Sequence, residues 1–331
     1  MTTTLQIDGQ TASRVGLGGC PLGGHGWGKV DDQNSIRAIH SALDLGVNFF
    51  DTADVYGLGH SEEVLCTALG ERRRDVLIAS KFGVRRTAEG TTIKDISPSY
   101  LRQALEASLR RLQLECLPLY YIHWPDRNTP VEDAVGELER CRCEGKIKAI
   151  GVSNFSSEQL LKVAQVAKID AVQIQYSLVD RQEAEELLQV SKQLGIPLVT
   201  WGSLAQGLLT GKYDANSKFG ESDRRSRYDN FRGQKLASNL KLVEQLQLIA
   251  GRIGRTPGQV AMRWLLDTPG VGAVLFGAKT PEQVRENAAV AEGWKLEPSD
   301  YKTLRDFLAG ADASLEHSHQ STPSQPTSMC A

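Results

Sequence analysis

GLGGCPLGGHGWG, from Gly16 to Gly28, decides between two ways of building an α/β protein. It follows the first short β-rich run, where an open, doubly wound sheet carries G-x-G-x-x-G to receive a dinucleotide. Gly16 and Gly18 match the first two glycines of that pattern, but Pro21 occupies the third position. The open sheet therefore lacks its fingerprint. A closed barrel is the better reading of the rest of the chain.

Working outward, short apolar runs recur at Val15 to Gly18, Val47 to Phe50, Val76 to Ala79, Leu119 to Ile122, Ala149 to Val152, Ala171 to Ile174, Pro197 to Thr200 and Ala273 to Phe276, eight in all. Segments of helical spacing separate them, and several carry start signals. Ser97 precedes Pro98 as a cap before proline at the first helical position, while Ser156 with Gln159 and Thr256 with Gln259 fit capping boxes. Strand and helix alternating eight times predict a (β/α)8 barrel of the TIM type, in the α/β class, with right-handed crossovers. One such barrel accounts for residues 1–313. The polar, Arg- and Asp-rich stretch from Lys212 to Gly233 reads as a long loop after strand 7. The stretch 314–331, rich in Ser, Pro, Thr and Gln, reads as a disordered tail.

The bulk numbers exclude some functions. A net charge of −2 gives no field that gathers nucleic acid or anionic lipid, so any bound anion needs a local site. Six cysteines without a C-x-x-C pair do not form a disulfide framework or a structural zinc site, and a reducing, cytoplasmic setting is expected. No apolar stretch is long enough to span a bilayer. No metal is expected, because the only H-x-H, His317 to His319, lies in the tail. This leaves little support for a metal-dependent barrel hydrolase. Oligomeric state is not readable from these features.

Catalytic groups of a barrel project from the C-terminal ends of its strands. Here those ends present Asp51, Lys81, His123, Asn154, Gln175 and Trp201. The stretch from Asp51 to Tyr56 closes the second strand, Ser80-Lys81 the third and His123-Trp124 the fourth. With Gly151-Val152-Ser153-Asn154-Phe155 and the run Gly207 to Tyr213, these motifs resemble the aldo-keto reductases from about Val15 to Gly293, on the side of the bacterial general-stress enzymes and potassium-channel β subunits. The resemblance implies a catalytic tetrad of Asp51, Tyr56, Lys81 and His123, an NADPH cofactor with NADH possible, and a small-molecule aldehyde or ketone as substrate. A cofactor-sensing regulatory subunit of the same fold is the alternative.

Chemistry gives these residues roles independently of the family. Carbonyl reduction places negative charge on oxygen as hydride arrives, so an acid and nearby donors are needed. Tyr56 is the expected acid, and a neighbouring Lys81 ammonium is expected to lower its pKa from about 10. Asp51 would pair with Lys81 so that no isolated cation is buried. His123 would orient the carbonyl.

The resemblance further places Ser153, Asn154 and Gln175 at the cofactor's carboxamide and Trp201 against its ring, although Trp201 also reads as a core residue. Gly202, Ser203, Leu204 and Gly207 would approach the pyrophosphate, or simply form a tight turn. Gly277, Lys279, Gln283 and Asn287 would grip the adenosine end and its 2′-phosphate. Gln283 equally fits a capping box with Thr280. Trp27, Trp124 and Phe231 are expected to line an aromatic substrate pocket.

Overall fold

The computed structural model describes residues 4–24, 30–87, 89–221 and 223–319, with only the backbone considered for 311–319. Eight parallel strands close into a barrel: β1 (Val15–Gly18), β2 (Phe49–Asp51), β3 (Leu77–Phe82), β4 (Leu117–Ile122), β5 (Ile147–Ser153), β6 (Ala171–Gln175), β7 (Leu198–Trp201) and β8 (Val271–Gly277). Each pairs with its neighbours in sequence, and β8 returns to β1. All eight runs expected from sequence are barrel strands. Helices fill the intervals, with an additional one, Pro257–Asp267, before β8. The expected helix starts are present: both capping boxes form, and Ser97 caps the helix Pro98–Leu112.

Strand periodicity sorts the side chains into two cores. Outward residues such as Phe50, Ile78, Tyr120 and Val274 pack under the helices. Inward residues such as Phe49, Leu77, Ala79, Leu119, Tyr121 and Val199 fill the lumen. Small residues make room for the large ones there: a Cβ on Gly151 would lie 2.3 Å from the Tyr121 ring. Continued upward, the same alternation points Asp51, Lys81, Gln173 and Trp201 into the barrel. The mouth is therefore built by extending the core pattern with polar residues.

Two hairpins were not foreseen. Thr4–Ile7 pairs antiparallel with Gln10–Ser13, and Leu5, Ile7 and Ala12 join the lumen core, closing the end of the barrel opposite the mouth. Val84–Arg86 pairs with Thr92–Lys94 after β3 and brings Lys94 Nζ to 4.4 Å from the centre of the Trp124 ring. The segment after β7 is a long connection containing three short 3-10 turns, Ala205–Thr210, Arg224–Arg227 and Asp229–Phe231. The final helix, Pro298–His319, runs beyond the Ser314 boundary drawn from composition, so residues 314–319 continue a helix. Residues 320–331 lie outside the described residues.

Candidate active site

At the bottom of the mouth Lys81 Nζ lies 2.5 Å from Asp51 Oδ1 and donates to the Thr52 carbonyl at 2.8 Å. Both side chains are buried, and Gln173 Nε2 donates to the second Asp51 oxygen at 2.8 Å. A buried ion pair is tolerable only when its remaining oxygens and protons are also satisfied, and Gln173 and Thr52 supply that satisfaction. Neither was singled out in sequence. The available signal was inward alternation on β6 for Gln173, whereas Thr52 acts through its backbone.

Tyr56 sits above this pair. Lys81 Nζ is 5.2 Å from its ring centre, and the His123 ring meets it edge-on at 5.6 Å. The residues expected as a tetrad thus share one place. Their electrostatics differ from expectation in one respect. Burial pushes the Tyr56 pKa well above the ordinary tyrosine value, Cys20 and Asp51 push the same way, and Arg224 pulls it down. The net lowering expected from Lys81 does not occur, because burial dominates. His123 is driven well below the usual histidine range, first by burial, then by Lys81, Arg224 and Lys94, so its ring is neutral. Its Nδ1 is buried without a partner among the described residues.

The adjoining wall is built by β5 to β7. Ser153 is buried, and Asn154 adopts a left-handed conformation at φ 58°, which asparagine tolerates better than most residues. Asn154 Nδ2 donates to the His123 carbonyl at 2.9 Å, and its Oδ1 accepts from Trp201 Nε1 at 3.1 Å. Asn154 therefore braces His123 and Trp201 against each other. Trp201 meets Trp124 edge-on at 6.4 Å. Gln175 lies under Gly202, where an added Cβ would come within 3.3 Å of its side chain. Trp27 lies outside the described residues. Phe231 stands apart from the tryptophan pair, buried against Tyr213 at 5.6 Å and Phe219 at 5.0 Å, where it packs the base of the long connection.

Past β7 the backbone turns left-handed at Gly202 and again at Ala205, Gln206 and Gly207. Consecutive turns of this kind can make concavities of N–H groups suited to anions, but here Ala205 N and Gly207 N donate to the Gly202 and Leu204 carbonyls at 2.7 and 2.9 Å. Ser203 Oγ bonds back to Thr200 at 2.9 Å and Leu204 packs into the core, so these two side chains have structural partners. Gln206 Oε1 is buried with no partner among the described residues. After β8, Lys279 is half-buried, and its pKa is lowered first by burial and then by Arg225, with Lys212 adding to the effect and Asp223 opposing it. Three cations thus converge on one rim, two of them from the long connection. Sequence reading named only Lys279. The capping reading of Gln283 holds in half: Thr280 Oγ1 accepts from Gln283 N at 3.4 Å, but Gln283 Oε1 reaches Lys279 N at 2.8 Å. Asn287 is buried on the same helix, and Gly277 is exposed at the end of β8.

A separate cleft of about 690 Å³ opens beside Asp54, lined among others by Tyr100, Arg85 and Arg111. It excludes Tyr56, Lys81 and His123, so chemistry and not the size of a hollow places the candidate site. Burial and the nearby Glu62 raise the Asp54 pKa to about 7.

The aldo/keto reductase family model matches residues 14–309, and the chain belongs to that family. Aldo-keto reductase YhdN of Bacillus subtilis is 36% identical over 92% of this chain and 93% of its own length. An NADH-specific methylglyoxal reductase of Escherichia coli is 32% identical over 90% and 95% of the two chains. Among solved structures, the glycerol dehydrogenase AKR11B4 of Gluconobacter oxydans superposes with a TM-score of 0.86 at 36% identity, covering 99% of each chain. An aldo-keto reductase of Klebsiella pneumoniae in complex with NADPH superposes at 0.72 with 25% identity, over 93% of this chain and 95% of the other.

Proposed function

We propose that this protein is an NAD(P)H-dependent reductase of aldehydes and ketones in which Tyr56 donates the proton. The observation that carries the proposal is the stacked arrangement of a buried Asp51–Lys81 pair, Tyr56 above it and a neutral His123 on its flank. When bound, the nicotinamide supplies hydride to the carbonyl carbon. Tyr56 keeps its proton at neutral pH because burial favours the uncharged phenol, and so it can deliver that proton to the oxygen as charge develops. His123 leaves Nδ1 unpartnered. An imidazole in that position does best to leave a lone pair unsatisfied and carry its hydrogen on Nε2, where it donates to the carbonyl oxygen. Lys81, fixed by Asp51 and Thr52, holds positive charge below the phenol and stabilises the phenolate left after transfer.

The cofactor fits the residues present. Lys279, Arg225 and Lys212 would hold its phosphates. Ser153, Gln175 and the unpartnered Gln206 Oε1 would meet the carboxamide, with Trp201 beside the ring. The cation cluster favours NADPH over NADH, as only the former has a 2′-phosphate. Relatives carry both cofactors in their names, one NADP(+) and one NADH-specific. Loss of absorbance of NADPH and NADH against a panel of aldehydes and ketones tests the proposal. Turnover is expected; tight cofactor binding without turnover on any carbonyl would instead favour a regulatory subunit.

A further inference from the structure

Arg224 and Arg225 are neighbours in one 3-10 turn but turn to different partners. Arg225 bonds Asp223, packs over Tyr213 and Phe219, and acts on Lys279, which places it at the phosphate rim. Arg224 turns instead to the end of β1, with Nη1 3.4 Å from Cys20 Sγ. Cys20 opens the short turn Cys20–Gly23, and that turn is pressed onto Tyr56: a Cβ on Gly23 would lie 2.6 Å from the Tyr56 carbonyl carbon. The guanidinium is therefore held on the Tyr56 side of the mouth, close enough to act electrostatically on its hydroxyl.

Its partners are unusual for its position. Other half-buried or buried arginines meet carboxylates or carbonyl oxygens, as Arg111 does with Glu62, Arg263 with Asp267, and Arg14 with three backbone carbonyls. Among the described residues the hydrogen-bond partner of Arg224 is a thiol, and the groups around it are Cys20, Tyr228 and Tyr56. A half-buried guanidinium without an anion is an incomplete ion pair. Lys94 stands over Trp124 on the far side of His123 and adds positive charge there. The carboxylates acting on Tyr56 are Asp51, already paired with Lys81, and Asp54, which accepts from the Tyr100 hydroxyl at 3.1 Å, while Asp180 acts on Tyr228. So the mouth is locally cationic, although the whole chain carries a net charge of −2.

We infer that Arg224 is a specificity-determining residue that selects carbonyl substrates bearing an anionic group, a carboxylate or a phosphate, by pairing with that group while Tyr56 and His123 hold the carbonyl. The inference rests on the reductase reading and deepens it. A charge-assisted pair with the planar guanidinium fixes both the position and the orientation of the substrate. Neutral carbonyls gain nothing from it.

The test compares 4-carboxybenzaldehyde with its methyl ester, two aldehydes of nearly the same shape that differ in charge, in wild type, Arg224→Met and Arg224→Lys. In wild type kcat/KM is higher for the acid. In Arg224→Met the ratio of acid to ester falls by about 10- to 100-fold, the range for losing a hydrogen bond to a charged group, and Arg224→Lys recovers part of it. A 4-formylphenyl phosphate arm distinguishes phosphate from carboxylate as the preferred anion. An unchanged ratio, or equal losses on acid and ester, overturns the inference while leaving the reductase intact. Should wild type reduce neither aldehyde, the carbonyl panel above decides the reductase reading, and calorimetric titration of benzoate into the NADP+-loaded protein still decides the role of Arg224. Binding that weakens about tenfold or more in Arg224→Met supports it; equal or absent binding overturns it.

Discussion

The floor and the rim of the barrel mouth are built on opposite plans. On the floor Asp51, Lys81 and Gln173 leave rigid strands, are buried, and satisfy one another through short hydrogen bonds. On the rim Lys212, Arg225 and Lys279 come from a long connection and a helix entry, remain partly exposed, and repel one another. A paired floor holds its geometry without a ligand. A rim of converging cations is relieved by an anion, so under the proposed function it gains most from the cofactor. On the proposed function, chemistry and cofactor binding fall to different kinds of structure.

The most severe way to break that division is Tyr56→Phe, which removes one oxygen from the floor side. Turnover should fall by about 10³-fold, within the range for losing a general acid, while the NADPH dissociation constant from fluorescence titration stays within about twofold. A parallel loss of cofactor affinity would merge the two regions into one. Next in size is Asp51→Asn, which leaves Lys81 as a buried cation without its counter-charge. Urea unfolding should show a loss of about 3 kcal/mol, and a small loss would mean that the floor is less firmly paired than its geometry indicates.

Lys279→Ala attacks the rim and should do the reverse of Tyr56→Phe. NADPH binding weakens about tenfold, NADH binding changes much less, and turnover at saturating cofactor is retained. Equal losses for both cofactors would detach Lys279 from the 2′-phosphate. The smallest effect concerns Asp54, beside the floor. Its folded pKa of about 7 exceeds its unfolded value, so the stability it contributes is fully present below the unfolded pKa and is lost as pH rises through about 7. Asp54→Asn should therefore raise the urea midpoint more at pH 8 than at pH 5. A pH-independent change would contradict the raised pKa.

Much of the floor was legible because its residues lie next to strand signals. The run ending at Phe50 delivers Asp51, the run ending at Ala79 leads through Ser80 to Lys81, and the run ending at Ile122 delivers His123. The rim was legible only at Lys279, which follows β8 within a few residues. Arg225 and Lys212 sit in a stretch without periodicity, where sequence distance says nothing of proximity. The N-terminal hairpin was missed for a related reason: its strands are four residues each, and their lumen contacts with Phe49 and Leu77 become visible only after the barrel closes.

Local chain chemistry by itself determined the alternation of strand and helix, the capped helix starts, and which polar residues terminate each strand. These depend on neighbours within a few residues. The tertiary structure decided what those residues experience: that burial leaves Tyr56 with a raised pKa, that Gln283 reaches Lys279 in place of completing its box, and that Arg224 and Arg225 turn to different partners. Such outcomes depend on distance and burial, and in a closed barrel both are set by strands far apart in the chain.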